Sequence, residues 1–403
     1  MSKTPPVQDW TTDYDIFDEG YVKDPVPVWR DLRGKCPIAH TERWGGSWLP
    51  TRYEDMQTFV KMVPELSSRD PIVVPQLAVD PELDEYGAKS PPITSDPPEQ
   101  IPHRRLILPF FTPKAVAEHR AFTEDLCHRL IDGLIDKGEC DAATDYAQHI
   151  PSHVIVHMLG IDPNRAEEFV QWVRNVLEIG LTDPDTRLKY RRVIRNFFGE
   201  MVAERRRNPG EEDLISQLLA KDLDGVPLTD VQVVSMCNLL LVAGIDTTWS
   251  SIGASLWHFA AHPEHRRRLG DEPELFPSAI EEMLRFYAPV TMARVAKQEI
   301  KAGDVTFKPG DRILMNFPGA NHDPEMFDDP DQVILDRERN RHIAFGVGIH
   351  RCAGSNLARM EMDVALRVWF ARIPEFELSD PDGVTWAGGQ VRGPRNLPIR
   401  FPT

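Results

Sequence analysis

One run of about thirty residues limits what this chain can become. It opens at Thr229 with Gln232 three residues on, the pattern of a capping box, and can continue to His262, where Pro263 stops it. At 1.5 Å per residue such a helix is about 45 Å long. In a chain of 403 residues it has to cross the centre of the molecule, and the remaining elements must pack around it. Its most apolar stretch, Leu239–Ile245, is too short to span a bilayer and is closed by Asp246, so a soluble, cytoplasmic protein with no membrane partner is expected.

Apolar side chains make up 41% of the chain and charged ones 27%, enough for a large core under an ordinary soluble surface. The net charge of −17 repels phosphate backbones and argues against nucleic acid as a partner. The five cysteines, Cys36, Cys127, Cys140, Cys237 and Cys352, are scattered and form no C-x-x-C pair. A disulfide framework or a structural zinc site is therefore not expected, and a reducing compartment is. The first residues contain no apolar run of signal-peptide type.

Along the chain, residues Met1–Lys23 read as a polar surface segment, and Asp24–Arg33 as a short helix. Two short apolar runs around Gly45-Gly46 predict a β-hairpin over Ile38–Tyr53, and helical spacing resumes over Glu54–Val63. Ser67–Asp96 is rich in proline with isolated apolar residues (Val73, Val74, Leu77, Tyr86), and reads as a long loop covering a site or as disorder. Phe111 to about Met201 is mostly helical, with breaks at Gly138, Pro151 and Asp162-Pro163, and Glu204–Asp213 is a charged connection. Helices are expected again over Pro277–Tyr287 and from about Ser355 to Arg372. Short strands fit Val290–Leu314 and Val384–Phe401, with proline turns over Asn316–Arg341 between them. No internal repeat or separating linker occurs, which predicts one mainly α domain over 1–403 with a small β region.

The segment Phe345-Gly346-Val347-Gly348-Ile349-His350-Arg351-Cys352-Ala353-Gly354 stands directly before a predicted helix. Backbone N–H groups and a helix N-terminus there can hold the negative charge of a thiolate. Glycines 346, 348 and 354 let the backbone turn tightly and approach a ligand closely. A lone cysteine is usually a buried core thiol. The glycine spacing, a histidine two residues earlier and an aromatic seven residues earlier point elsewhere. The segment resembles the haem-binding signature of the cytochrome P-450 family, and other motifs follow that family's order from about Asp24 to Thr403.

The resemblance implies the mainly helical haem-thiolate fold, its long central helix lying over a haem b (iron protoporphyrin IX) whose iron is bound by Cys352. Glu282 and Arg285 match the family's E-x-x-R pair and are implied to form a buried ion network with Arg337, a structural role. Arg104, Arg294 and His350 are implied to hold the haem propionates, with Phe345, Gly346, Gly348 and Gly354 shaping the loop beneath. Gln100 stands where the family usually has histidine; an amide still donates a hydrogen bond but carries no charge. Arg105 is expected to face solvent.

Ala243-Gly244-Ile245-Asp246-Thr247-Thr248 lies inside the long helix, where glycine costs up to about 1 kcal/mol against alanine. Taken alone it reads as a kink with a solvated aspartate. The resemblance makes it the family's acid–alcohol pair. Thr247 would hydrogen-bond dioxygen or a water, opening the helix ladder locally, and Asp246 would relay protons, with Thr248 as a second hydroxyl. Matching substrate positions are Leu239, Val242, Ala243, Val290, Met292 and Val391, all apolar, roofed by Ser67–Asp96 and the region Phe169–Phe198.

The function implied is monooxygenation of a small or medium hydrophobic compound by hydroxylation, epoxidation or O-dealkylation. The chain carries no flavin- or ferredoxin-like extension, so electrons are expected from a ferredoxin and its NAD(P)H-dependent reductase. Arg104, Arg105, Lys114, Arg351 and Arg359 would form a cationic patch that steers an acidic donor. A peroxide-driven enzyme, or a haem sensor or carrier without turnover, are the alternatives.

Overall fold

The computed structural model describes residues 5–75, 89–209 and 212–403. Its axis is the helix Asp230–Ala261, 32 residues long. The capping box forms as the sequence requires: Thr229 Oγ1 accepts from the Gln232 N–H and Gln232 Oε1 accepts from the Thr229 N–H. The helix is apolar and long enough to cross a membrane, but 61% of its most apolar window is buried inside the protein.

Helices Pro184–Arg207, His149–Met158, Ala166–Leu177 and Ser355–Arg372 pack against it. From Thr248 to Leu256 every residue is buried. Gly244 has a packing reason, since a Cβ there would lie 2.6 Å from Ile155 Cδ1 on the crossing helix. The rule-breaking glycine in mid-helix thus serves close helix approach. The helix continues without interruption past Thr247, so the local opening expected there is not observed.

The β structure is small. One sheet orders Ile38–Thr41, Ser47–Pro50, Arg312–Met315, Met292–Ala296 and Leu66–Ser67, with the first two strands forming the expected hairpin. A second joins Glu377–Leu378, Pro398–Arg400 and Glu139–Asp141. The two-stranded hairpin Thr385–Ala387 with Gly393–Asn396 lies on the central helix, where a Cβ on Gly393 would meet Ser250 at 2.3 Å.

Two expectations need correction. Pro151 breaks nothing: it sits in the first turn of His149–Met158, where no intrahelical N–H is lost. The segment before Lys23 is not simply a surface strand, because Tyr14, Ile16 and Tyr21 are buried in a second core with Trp29 and Leu32. Of the loop Ser67–Asp96, residues 76–88, including Leu77 and Tyr86, lie outside the described residues. The two ends of that loop are tied together, as Asp96 accepts from Ser67 Oγ at 2.7 Å and from the Ser68 N–H at 2.8 Å.

The coil that delivers the cysteine loop is anchored by one carboxylate. Glu282, fully buried on helix Phe276–Phe286, accepts from Arg285 Nε and Nη2 at 2.8 Å, Arg337 Nε at 3.0 Å, Asn340 Nδ2 at 3.1 Å and the Ile334 N–H at 2.9 Å. Arg285 spends its remaining donors on the carbonyls of Asn321, Pro330 and Gln332. Removing one member of such a set strands buried charge. Glu282→Ala is expected to lose about 3–5 kcal/mol of unfolding free energy in chemical denaturation. A loss below about 1 kcal/mol would contradict the anchoring role.

Candidate functional site

The cysteine loop is built from backbone constraints. The Ile343 N–H donates to Asn321 Oδ1 at 2.8 Å, which hangs the loop on the coil that Glu282 organises. Gly346 and Gly348 have φ of +63° and +73°, the left-handed region that favours glycine. The loop closes when the Cys352 N–H donates to the Phe345 carbonyl at 2.8 Å, and Gly354 then caps helix Ser355–Arg372. The aromatic seven residues before the cysteine is therefore its backbone partner.

Cys352 alone of the five cysteines is exposed. Crowding by protein pushes its thiol above the usual range, while the Gly354 N–H and the guanidinium groups of Arg104, Arg351 and Arg359 act in the opposite direction. The sulfur thus combines an accessible residue with a dense set of donors and positive charge around it. Cys127, by contrast, is buried and its thiol is pushed up to about 12 by burial.

Polar groups gather beside this loop, where the buried carboxylate of Asp96 acts on both Arg294 and His350 but offsets only part of the cost of burying them. Arg294 is buried, and burial pushes it down to about 10; among the described residues its side chain donates to the adjacent Ala293 carbonyl at 2.7 Å. Burial, then Arg294 and Arg104, hold His350 down at about 3, so the ring is neutral near pH 7 and shares a 2.9 Å hydrogen bond with Ser68 Oγ. Arg104 donates to the Arg351 carbonyl at 2.6 Å. Gln100 donates to the Ile349 carbonyl at 2.8 Å, which makes it a brace of the loop, and its Oε1 is buried without a partner. His103 Nε2 is likewise buried and unpartnered. A flat ligand bearing carboxylates would satisfy this excess of donors and positive charge.

One face of the central helix is less covered than the others. Leu239, Val242 and Thr247 are partly exposed and Ala243 is exposed, whereas Leu241, Ile245 and Asp246 on other faces are buried. Thr247 Oγ1 donates to the Ala243 carbonyl at 3.0 Å, one turn back. Thr248 is buried.

Asp246 points the other way. Its Oδ1 accepts from Arg395 Nη2 at 2.6 Å, and Arg395 Nε donates to Glu178 Oε2 at 2.8 Å. Arg174 donates to the same glutamate at 3.0 Å, and these last two side chains reach the surface. Arg395 also stacks 4.3 Å over the Trp249 ring. Burial raises the Asp246 carboxyl above its ordinary range, and Arg395 offsets only part of that. Oδ2 is buried without a partner. Neither Arg395 nor Glu178 was legible in the sequence, since each lies far along the chain from Asp246 and belongs to no local motif.

The apolar positions from the two remaining segments meet. Val290 bridges Val391, and Gln390 Nε2 contacts Met292 Sδ at 3.0 Å. The helices carrying Phe169 and Phe198 both lie on the central helix, with the two phenylalanines fully buried in an aromatic cluster with Trp172 and Phe197. Arg105, Lys114 and Arg351 are exposed, but Arg359 is not a free cation: it pairs with Glu281 at 2.8 Å and lies 4.5 Å over the Phe345 ring. The cationic patch therefore loses one of its expected members to a bond that holds the loop.

Comparison with known proteins places the chain among similar sequences and structures. The family model described as Cytochrome P450 matches residues 167–379. Cytochrome P450 107B1 of Saccharopolyspora erythraea is 30% identical over 95% of this chain and 96% of its own length. The 6-deoxyerythronolide B hydroxylase of the same organism is 31% identical over 97% and 99%. The solved structure of the Bacillus subtilis polyketide synthase cytochrome P450 PksS superposes with a TM-score of 0.88 at 28% identity, covering 97% of this chain and all of that one.

The Asp246–Arg395 pair generates a test of its own. Arg395→Met should cost about 3–5 kcal/mol in chemical denaturation, because it leaves two carboxylates without their shared guanidinium. Adding Asp246→Asn should recover part of that loss, and strict additivity of the two substitutions would show the pair to be uncoupled.

Proposed function

The chain belongs to the cytochrome P450 family and is a monooxygenase that binds haem b through a cysteine thiolate, and from that premise we propose that Cys352 supplies the thiolate. The observation that carries the proposal is its setting: the one exposed cysteine, closed onto Phe345, with Gly354 and three arginines around the sulfur. The residues present fit the haem. Arg294, Arg104 and His350 would hold its two carboxylates, which would give a buried guanidinium charged partners beyond the neighbouring carbonyl it bonds among the described residues. Residues 1–403 then form one haem domain.

Thiolate-ligated haem activates dioxygen so that one oxygen atom enters the substrate and the other leaves as water, with two electrons and two protons consumed. The protein's part is to bind, orient and deliver protons. Leu239, Val242 and Ala243 on the helix, Val290 and Met292 after the E-x-x-R helix, and Val391 offer an apolar lining suited to a small or medium hydrophobic compound. Hydroxylation, epoxidation or O-dealkylation all fit such a lining. Thr247, on the less covered face of the helix, can turn its hydroxyl from the Ala243 carbonyl, and it would then hold dioxygen or a water. Asp246 Oδ2 is the free atom that would carry a proton towards it, while Arg395 and Glu178 fix Oδ1.

Electrons come, in this reading, from a ferredoxin and its NAD(P)H-dependent reductase in the cytoplasm. Arg105, Lys114 and Arg351 offer exposed positive charge for an acidic donor on an otherwise acidic protein.

Cys352→Ala should abolish the thiolate signature in the spectrum of the reduced, carbon-monoxide-bound protein; a variant that kept it would remove this sulfur from the iron. Thr247→Ala should retain haem and the substrate-induced low-to-high-spin shift. In that variant product formed per NAD(P)H consumed should fall by about tenfold or more, with hydrogen peroxide appearing instead. Full coupling would refute the role given to Thr247.

A further inference from the structure

Where the central helix stops, it meets a group of side chains that oxygen chemistry does not use. His262 caps the C-terminus of Asp230–Ala261 with φ −124° and ψ 80°, and the next helix, Pro263–Asp271, begins at once. The reversal brings Glu264 and His265, in the first turn of that helix, beside His262. One ligand atom from each of His262, Glu264 and His265 lies within 4.8 Å of the others, and His262 Nδ1 is 3.4 Å from Glu264 Oε1.

A fourth residue stands behind them. His258 is buried one turn before the end of the central helix; its Nε2 is 2.9 Å from His265 Nδ1 and its Nδ1 is 2.8 Å from the Tyr287 hydroxyl. When His265 Nδ1–H donates to His258 Nε2, and His258 Nδ1–H to the Tyr287 oxygen, His265 carries a lone pair on Nε2. Metal-binding histidines are commonly oriented in this way, with the second ring nitrogen donating to a fixed partner. The group thus has candidate ligands and a buried support that sets the tautomer of one of them.

We propose that His262, Glu264 and His265 form a binding site for a divalent cation of the zinc class, with water completing the coordination and His258 and Tyr287 positioning His265. Two imidazoles and a carboxylate suit zinc and its borderline neighbours, and they do not suit magnesium or calcium, which prefer oxygen ligands. A tetrahedral ion with Zn–N of 2.0–2.1 Å needs ligand atoms about 3.4 Å apart. The three side chains must close by up to about 1.4 Å from the 4.8 Å outer limit of their spacing, a motion open to the His262 and Glu264 side chains, which are 42% and 63% exposed. The ion would clip the end of the central helix to the helix that follows it.

The test uses the haem-loaded, full-length chain without an affinity tag. Zinc chloride is titrated by calorimetry, with thermal unfolding followed by circular dichroism. One zinc per chain should bind with micromolar affinity and raise the melting temperature. His262→Ala and His265→Ala should each weaken binding by about tenfold or more, and Tyr287→Phe by up to about tenfold through the looser His258. The Soret band should be unchanged in every variant, showing that each is folded. The site is refuted if the wild type binds no stoichiometric zinc, or if the double variant His262→Ala/His265→Ala binds it as the wild type does.

Discussion

The position of the cysteine depends on the buried carboxylate of Glu282. Four residues donate to it, and two are arginines whose other donors clamp the carbonyls of the coil between residues 321 and 332. Coil has few backbone bonds of its own, so side-chain charge does here what a sheet ladder does elsewhere. The same coil supplies Asn321, which receives the Ile343 N–H and so starts the cysteine loop in a fixed place. Continuing along the chain, Arg359 pairs with Glu281, the neighbour of Glu282 on the same helix, and closes over Phe345. Two adjacent glutamates therefore hold the loop from before and after the sulfur.

The central helix is the second constraint, and its faces divide the labour. One face is left open by Leu239, Val242, Ala243 and Thr247. The other is locked, with Gly244 giving way to Ile155 and Asp246 held by an arginine from the C-terminal hairpin. The Asp246–Arg395–Glu178 chain links three distant parts of the sequence: the central helix, the C-terminal hairpin and the end of helix Ala166–Leu177. The carboxylate proposed to carry protons is thus tied to the same guanidinium that holds the end of helix Ala166–Leu177.

Much of the fold was legible because its signals are local. The capping box at Thr229, the proline at 263, the glycine pair at 45 and 46 and the glycine before Ser355 each set a boundary through backbone chemistry, and those boundaries hold. The readings that failed were those where a residue's meaning came from a distant neighbour. Pro151 is harmless because a helix happens to start just before it, and Tyr14 is buried because Trp29 and Ser47 meet it. The glycine at 244, a costly residue in mid-helix by local rules, makes room for Ile155 of the crossing helix.

The sequence by itself determined the cysteine, the glycines that bend its loop, the E-x-x-R pair and the long helix, since each is encoded by spacing within a few residues. Only the tertiary structure decided what those groups touch. It set Arg395 against Asp246 across 149 positions, turned Gln100 into a brace for Ile349, removed Arg359 from the cationic surface and gathered His258, His262 and His265 at a helix corner. The physical reason is that a side chain's partner is fixed by how helices cross and where coils return, and no local pattern carries that information.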